Sequence, residues 1–414
     1  MGLVVRKPGV YTSVQDNGRY GYQGSGFSPN GVMDHRAYVM ANLLVENDPH
    51  DCVLEFALAG PTLRFTTKTI IALTGGDFSA TIDRKPVPRY TALMVDRGSI
   101  LRLGAAKTGC YGYLAIAGGS MRIPEVMGSR STNLKCEIGG WKGRTLIVGD
   151  YLPFVTKNVD FLPNLGSHRI DPDPYYCFGE EEITVRVVPG PQENLFTEEG
   201  IEAFYSQTYL TTTKCDRMGY RLDGPEIATA CGSDIISDGI AFGAVQVPSH
   251  GRPIIMLADR QTTGGYAKIG TIATVDIPKL VQRPPGSRIR FEAVTVQEAQ
   301  ALLRAEARQF EGLALRVRRP SADGISPRRT ARRLAPILEE QARKSQANTL
   351  WINQADRAER VGNRNLLHYD ETAGSMKRVA SVARTAASTE QGTTAQQAAS
   401  APAVAASDEK NFKE

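Results

Sequence analysis

From residue 1 to about residue 315, the apolar residues of this 414-residue chain come in short runs, among them 69–73, 101–103, 113–117 and 184–188, each halted by Gly, Pro or Asp. Runs of this length are strand-sized, and the turn-forming residues between them stop them from continuing as helices. Many short strands with regular turn signals select a barrel or a sandwich over a doubly wound sheet. Helical spacing is confined to 33–45, 192–206 and 295–307, the last starting near Thr295. One turn-plus-strand pattern recurs: Gly98-Ser-Ile-Leu-Arg-Leu103 is matched by Gly286-Ser-Arg-Ile-Arg-Phe291. The repeat predicts two related β-domains, 1–165 and 166–315, meeting in a segment at 160–175 rich in Pro, Asp and aromatics. A cleft between two such domains is a natural binding place.

After Arg316 the character changes. Residues 316–384 hold 15 Lys and Arg against seven Asp and Glu, and 386–406 are mostly Ala, Ser, Thr and Gln. The expectation for 316–414 is a basic, low-complexity extension, partly disordered, with short helices around 331–344 and 354–360. The net charge of +5 therefore belongs to the tail, and the first 315 residues sum to about −1. That near-neutral body gives no electrostatic footprint for nucleic acid. The longest apolar runs fall far short of the roughly 20 residues of a spanning helix. The N-terminus has no signal-peptide or myristoylation pattern, so a cytoplasmic location is expected. Six scattered cysteines without a CxxC pair predict no metal site. Phosphate-loop, dinucleotide and GxSxG signatures are absent as well.

Chemistry concentrates in two glycine-rich stretches. In Gln246–Tyr266 an apolar run delivers Asp259, Arg260, Gln261, Thr262 and Thr263 onto a turn closed by Gly264 and Gly265, with Gln246 upstream. A carboxylate, a guanidinium, an amide and hydroxyls within five residues can surround a small polar solute, and they equally suit a polar hairpin. Near the N-terminus, Gln15, Asp16 and Arg19 repeat the same residue types, which suit either one face of a shared cleft or a loop satisfying its own backbone. Gly128-Ser-Arg-Ser-Thr132 offers Arg130 and hydroxyls to an anion, or is a capped turn. Cys215, beside Asp216 and Arg217, is a candidate nucleophile or a small buried hydrophobe.

Taken in order, the motifs Gln15-Asp-Asn-Gly-Arg19, Leu54-Glu55, Gly60-Pro61, Leu73-Thr-Gly75, Tyr113-Leu-Ala115, 128–132, Gly149-Asp150, Gly190-Pro191, Asp216-Arg-Met-Gly-Tyr-Arg-Leu222, 243–248 and 259–266 resemble the biotin-dependent carboxyltransferase family. That family includes the C-subunit of 5-oxoprolinase and the allophanate hydrolase subunit 2 module of urea carboxylases, and the resemblance covers roughly residues 3–305. It implies a mainly β fold of two cyclophilin-like barrels with a few short helices. It also implies a partner like allophanate hydrolase subunit 1 or the 5-oxoprolinase B-subunit, joined in the oxoprolinase version by a protein like the A-subunit. The implied activity is ATP-dependent opening of 5-oxoproline to glutamate. Carboxyl transfer to urea, with biotin on a separate carrier, or regulation by binding a kinase inhibitor are the alternatives. Asp259, Gln261 and Asp16 are the catalytic candidates. Gln15, Arg19, Arg130, Gln246, Arg260, Thr262, Gly264 and Gly265 are the substrate-binding ones. The chain departs from the family pattern with Tyr111 for a usual Arg, Cys215 for a usual Ser and Ala267 for a usual Pro. Met376-Lys377 is followed by Arg378, which is no biotinyl-lysine signal.

Overall fold

A computed structural model of the chain describes residues 1–119, 121–155, 168–173, 175–176, 178–317, 339–340, 368–370 and 375–377. Met1–Asp323 forms one compact unit and Gly324–Glu414 a second. The first half of the larger unit runs β1 (Gly2–Lys7), β2 (Tyr11–Gln15), α1 (His35–Leu44), β3 (Val53–Ala57), β4 (Thr62–Phe65), β5 (Thr69–Asp77), β6 (Thr81–Ile82), β7 (Lys85–Pro86), β8 (Ala92–Val95), β9 (Ile100–Arg102), β10 (Thr108–Ile116) and β11 (Tyr151–Pro153). The second runs β12 (Glu182–Pro189), α2 (Glu198–Ser206), β13 (Tyr209–Thr211), β14 (Gly219–Asp223), β15 (Asp234–Gly239), β16 (Ala244–Gln246), β17 (Ile254–Met256), β18 (Thr263–Tyr266), β19 (Lys268–Ile272), α3 (Ile277–Val281), β20 (Arg288–Ala293) and α4 (Val296–Val317).

Strands of the first half form two sheets, β11-β1-β4-β9-β6-β7 and β2-β3-β10-β5-β8, while the second half closes a barrel, β12-β19-β16-β17-β14-β13-β20. The mainly β expectation holds, and the period-2 rule explains the layering. In β3, β5 and β10 alternate residues Leu54, Phe56, Ile71, Leu73, Leu114 and Ile116 join the core between the two sheets. Their neighbours Val53, Ile70, Ala72, Tyr113 and Ala115 join a second core that also takes in α1 and the barrel interior, including Val185, Val187, Ile255 and Ile269. These strands are buried on both faces, so their sequences read as nearly continuous apolar runs, with Glu55 the charged exception in β3.

Helices form in all three expected stretches, the second only from Glu198 after a 3-10 turn at Glu193–Leu195, and the short helix α3 adds one that was not expected. Asp34 caps α1 by accepting from the Ala37 N–H at 3.0 Å, and Thr197 caps α2 through the Gly200 N–H at 3.0 Å. α4 extends ten residues beyond the expected stretch, begun by a reciprocal capping box between Thr295 and Glu298. The repeated motif is structurally real: Ser99 N–H closes a turn on Asp96 O, and Ser287 N–H closes one on Pro284 O. Gly98 and Gly286 both take positive φ there, at 94° and 90°, which explains glycine at both positions. The expected junction at 160–175 and the tail helix at 354–360 lie wholly or mostly outside the described residues. Within 331–344, residues 339–340 are helical. In the smaller unit His368–Asp370 pairs with Ser375–Lys377. No described helix is long and apolar enough to cross a membrane.

Candidate active site

A cavity of about 610 Å³ opens between the two halves of the larger unit. The first half contributes Tyr11, Asn30, Leu58, Cys110, Tyr111 and the 133–135 segment, and the second contributes the turn 215–218, Tyr220, Asp259, Gln261 and Arg283. Its walls are largely apolar, with polar groups gathered around Asp259. That distribution suits a small organic ligand fixed by a few polar contacts.

Arg217 forms the floor. It sits on the turn before β14, where Asp216 Oδ1 accepts from the Met218 and Gly219 N–H groups. From there its guanidinium grips Asp259 bidentately, Nε to Oδ2 and Nη2 to Oδ1, both at 2.9 Å. Nη1 donates to Glu55 of the first half, and Nη2 also donates to Gly31 O at 2.7 Å. Asp259 in turn accepts from Asn30 Nδ2 at 2.6 Å, so one carboxylate is held from both halves. Burial pulls the Arg217 guanidinium down, but Asp259, Tyr11 and Glu55 together raise it well above its ordinary value, keeping the charge fixed. Glu55, 0% exposed, is pushed up by burial against the opposing pull of Arg217. Burial raises the Tyr11 phenol to about 12, so it faces the cavity as a neutral hydroxyl. Burial likewise pushes Cys110 to about 12 and raises Cys215, which leaves neither thiol as a ready nucleophile near neutral pH.

Of the residues expected from sequence, Asp259 and Gln261 line the cavity. The N-terminal cluster stands behind it. Asp16 accepts from Gly18 N, Ser129 Oγ, Ser131 Oγ and Arg130 N at 2.5–2.9 Å, so it does join the 128–132 loop to the N-terminal loop, but as that loop's anchor. Arg19 is buried, donating to Val126 O, Ser131 O and Asn30 Oδ1, and thereby supports Asn30. Gln15 donates to Ser13 Oγ and Thr132 O. The Arg130 side chain bonds Ile123 O and Glu125. Arg260 is spent on Ile240 O and Leu257 O, although its own carbonyl accepts from Ser28 Oγ across the halves. Gln246, Thr262, Gly264 and Gly265 do not line the cavity, the two glycines being in the β18–β15 ribbon and Gln246 on β16 opposite Lys268.

Sequence reasoning missed Asn30, Glu55, Arg217 and Tyr11. Two carried a signal: Asn30 opens an Asn-Gly turn pair and itself takes positive φ, 57°, and Glu55 is a lone charge inside the apolar run Val53–Ala57. Two departures from the family pattern, Tyr111 and Cys215, line the cavity, whereas Ala267 is buried elsewhere.

Behind the cavity, Asp34 accepts from Tyr176 Oη with both oxygens, at 2.7 and 2.8 Å, and from Gln282 Nε2 at 2.7 Å. Burial still pushes its carboxyl from 3.8 up to about 6. Folding therefore favours protonated Asp34, and its contribution to stability is complete below about pH 4 and lost as pH rises through about 6. Between those limits the wild type should lose about 3 kcal/mol relative to Asp34→Asn. Denaturant unfolding of both proteins across the window checks this, and parallel curves would contradict it.

The family described as carboxyltransferase domain, subdomain A and B, matches residues 25–293. The chain is 37% identical over 315 residues to the C-subunit of 5-oxoprolinase from Escherichia coli (strain K12), covering 76% of this chain and 98% of that protein. It is 36% identical to the C-subunit of 5-oxoprolinase from Haemophilus influenzae, covering 70% and 91%. It is also 31% identical to the urea amidolyase of Saccharomyces cerevisiae, covering 76% of this chain and 18% of that much longer one. Among solved structures, the K. lactis urea amidolyase superposes with a TM-score of 0.68 at 30% identity, covering 79% of this chain and 21% of that chain.

Proposed function

Since this chain belongs to the carboxyltransferase family, we propose that it is the C-type component of an ATP-dependent 5-oxoprolinase, opening 5-oxoproline to glutamate with B-like and A-like partners in the cytoplasm. One observation favours this over the urea reading: the match spans nearly the whole of two relatives named as that component, against 18% of the urea amidolyase. The observation that carries the site is Asp259, whose carboxylate is clamped by Arg217 and Asn30 at the seam of the two halves. A carboxylate so held keeps its position while it accepts a hydrogen bond from a lactam N–H, and Gln261 beside it offers both a donor and an acceptor. Asp16 and Arg19 serve this site by fixing the loop that presents Asn30. The boundary between the two β-domains falls near residue 165 in this reading.

The cavity does not fit a triphosphate: its walls are mostly apolar, Asp216 and Asp259 stand on them beside Lys135, Arg217 and Arg283, and among the described residues no glycine-rich loop at a helix start faces it. ATP therefore belongs with the partner proteins. The apolar walls around Leu58, Leu134 and Met218 do fit a bicyclic ureide, which on a separate carrier would supply the carboxyl group in the urea carboxylase alternative.

Co-expression with the neighbouring candidate partners, followed by an assay of ATP-dependent glutamate release, tests the proposal. Activity that requires this chain supports it. An assembled complex that is inert with 5-oxoproline but carboxylates urea transfers the site to the alternative. A chain that functions unchanged with Asp259→Ala would favour regulation by partner binding.

A further inference from the structure

The cavity wall formed by Cys110 and Tyr111 lies at an irregularity. β10 and β5 pair in register from Gly112 to Ile116, but the register shifts between Thr108 and Gly112. At this point Gly75 of β5 takes positive φ, 84°, and a Cβ there would lie 2.3 Å from Tyr111 O. The two backbones crowd together, and β5 does not continue as a regular partner for 110–111. Backbone N–H and C=O groups buried at such a place need partners from elsewhere.

The Leu58 N–H donates to the Cys110 carbonyl, and a single side chain from the other half supplies the remaining three partners. Gln282 Oε1 accepts from the Cys110 N–H at 2.8 Å and the Tyr111 N–H at 3.1 Å, while Nε2 donates to Tyr111 O at 3.0 Å. Its other Nε2 hydrogen goes to Asp34 Oδ2 at 2.7 Å, which leaves no donor unused. Gln282 is 2% exposed and directly follows α3, whose Ile277, Leu280 and Val281 are buried in the shared core. Only a primary amide offers acceptor and donors together without charge, and asparagine in its place would be one methylene short.

We infer that Gln282 is a positioning residue: its amide replaces the missing strand partner at the β10 irregularity and so fixes the Cys110–Tyr111 wall of the cavity from the second barrel. The wall's shape then depends on the two halves being docked, although Gln282 itself touches no ligand. The consequence for substrate binding rests on the reading of the cavity as the active site, whereas the clamp itself does not.

The test is Gln282→Met, which keeps side-chain length and removes all four hydrogen bonds. Labelling of the folded protein by N-ethylmaleimide, resolved by peptide mass spectrometry, reads the wall directly. Cys110 is buried in it, Cys52 is buried in the other core, and Cys136 and Cys231 are exposed references. The clamp predicts that Cys110 labels at least about tenfold faster in the variant, with Cys52 unchanged. Unchanged Cys110 labelling, or Cys110 and Cys52 accelerating together through general loosening, overturns the inference. In the assembled complex KM for 5-oxoproline should rise about tenfold with kcat within about threefold. The KM effect should vanish in a Tyr111→Ala background, because the clamp acts through that wall. Faster Cys110 labelling with no change in KM upholds the clamp and counts against the cavity as the 5-oxoproline site.

Discussion

Replacing Arg217 by methionine should lower the unfolding free energy by about 3–5 kcal/mol, the largest stability effect expected of any single change at the site. Arg217 is 6% exposed and binds two carboxylates and a carbonyl. Without it, Glu55 keeps the Met33 N–H at 2.8 Å and the Tyr113 hydroxyl at 2.9 Å but has no counter-charge in a fully buried position. The cost comes from stranding that carboxylate, because removing one partner of a buried pair leaves the other with its desolvation penalty unopposed. The double variant Arg217→Met/Glu55→Gln should therefore recover a substantial part of the loss. Denaturant midpoints for the two single variants and the double variant decide the matter. A loss below about 1 kcal/mol, or a double variant no better than Arg217→Met, would show that the pair is not coupled as described.

Asp259→Asn should reduce turnover of 5-oxoproline by the assembled complex by a factor on the order of 10² or more. The substitution preserves volume and one acceptor, but an amide cannot chelate Arg217 through two oxygens, and its NH₂ would face either the guanidinium or the Asn30 donor. Since Asp259 is 20% exposed, the fold should tolerate the change far better than it tolerates loss of Arg217. Gln261→Ala, at the rim, should cost about tenfold. Steady-state glutamate release from matched complexes measures both effects. Activity of Asp259→Asn within threefold of wild type would remove Asp259 from the substrate's immediate surroundings.

Both predictions turn on contacts that residue type alone did not disclose. Asp16 and Asp259 look alike in sequence, each in a polar, glycine-rich stretch with an arginine close by. In the folded chain Asp16 is saturated by the backbone and hydroxyls of 129–131, whereas Asp259 reaches the cavity held by partners 42 and 229 residues away. Glu55 and Arg217 are 162 residues apart, so neither reveals in its neighbourhood that it will be paired. Arg19 and Arg260 were plausible anion ligands by chemistry, but burial commits their donors to carbonyl groups.

The short-strand pattern, a helix in each of the three stretches with the start of the last at Thr295, and the repeated glycine turns at 98 and 286 were determined by the sequence itself. Each depends on interactions over a few residues, whose periods and backbone preferences can be read directly from the order of residues. The placement of Asn30, Glu55, Arg217 and Gln282 around one seam was decided only by the tertiary structure. There the apolar burial that joins the two halves of the larger unit brings polar groups together from distant positions, and each then takes whichever partner the low-dielectric interior leaves available.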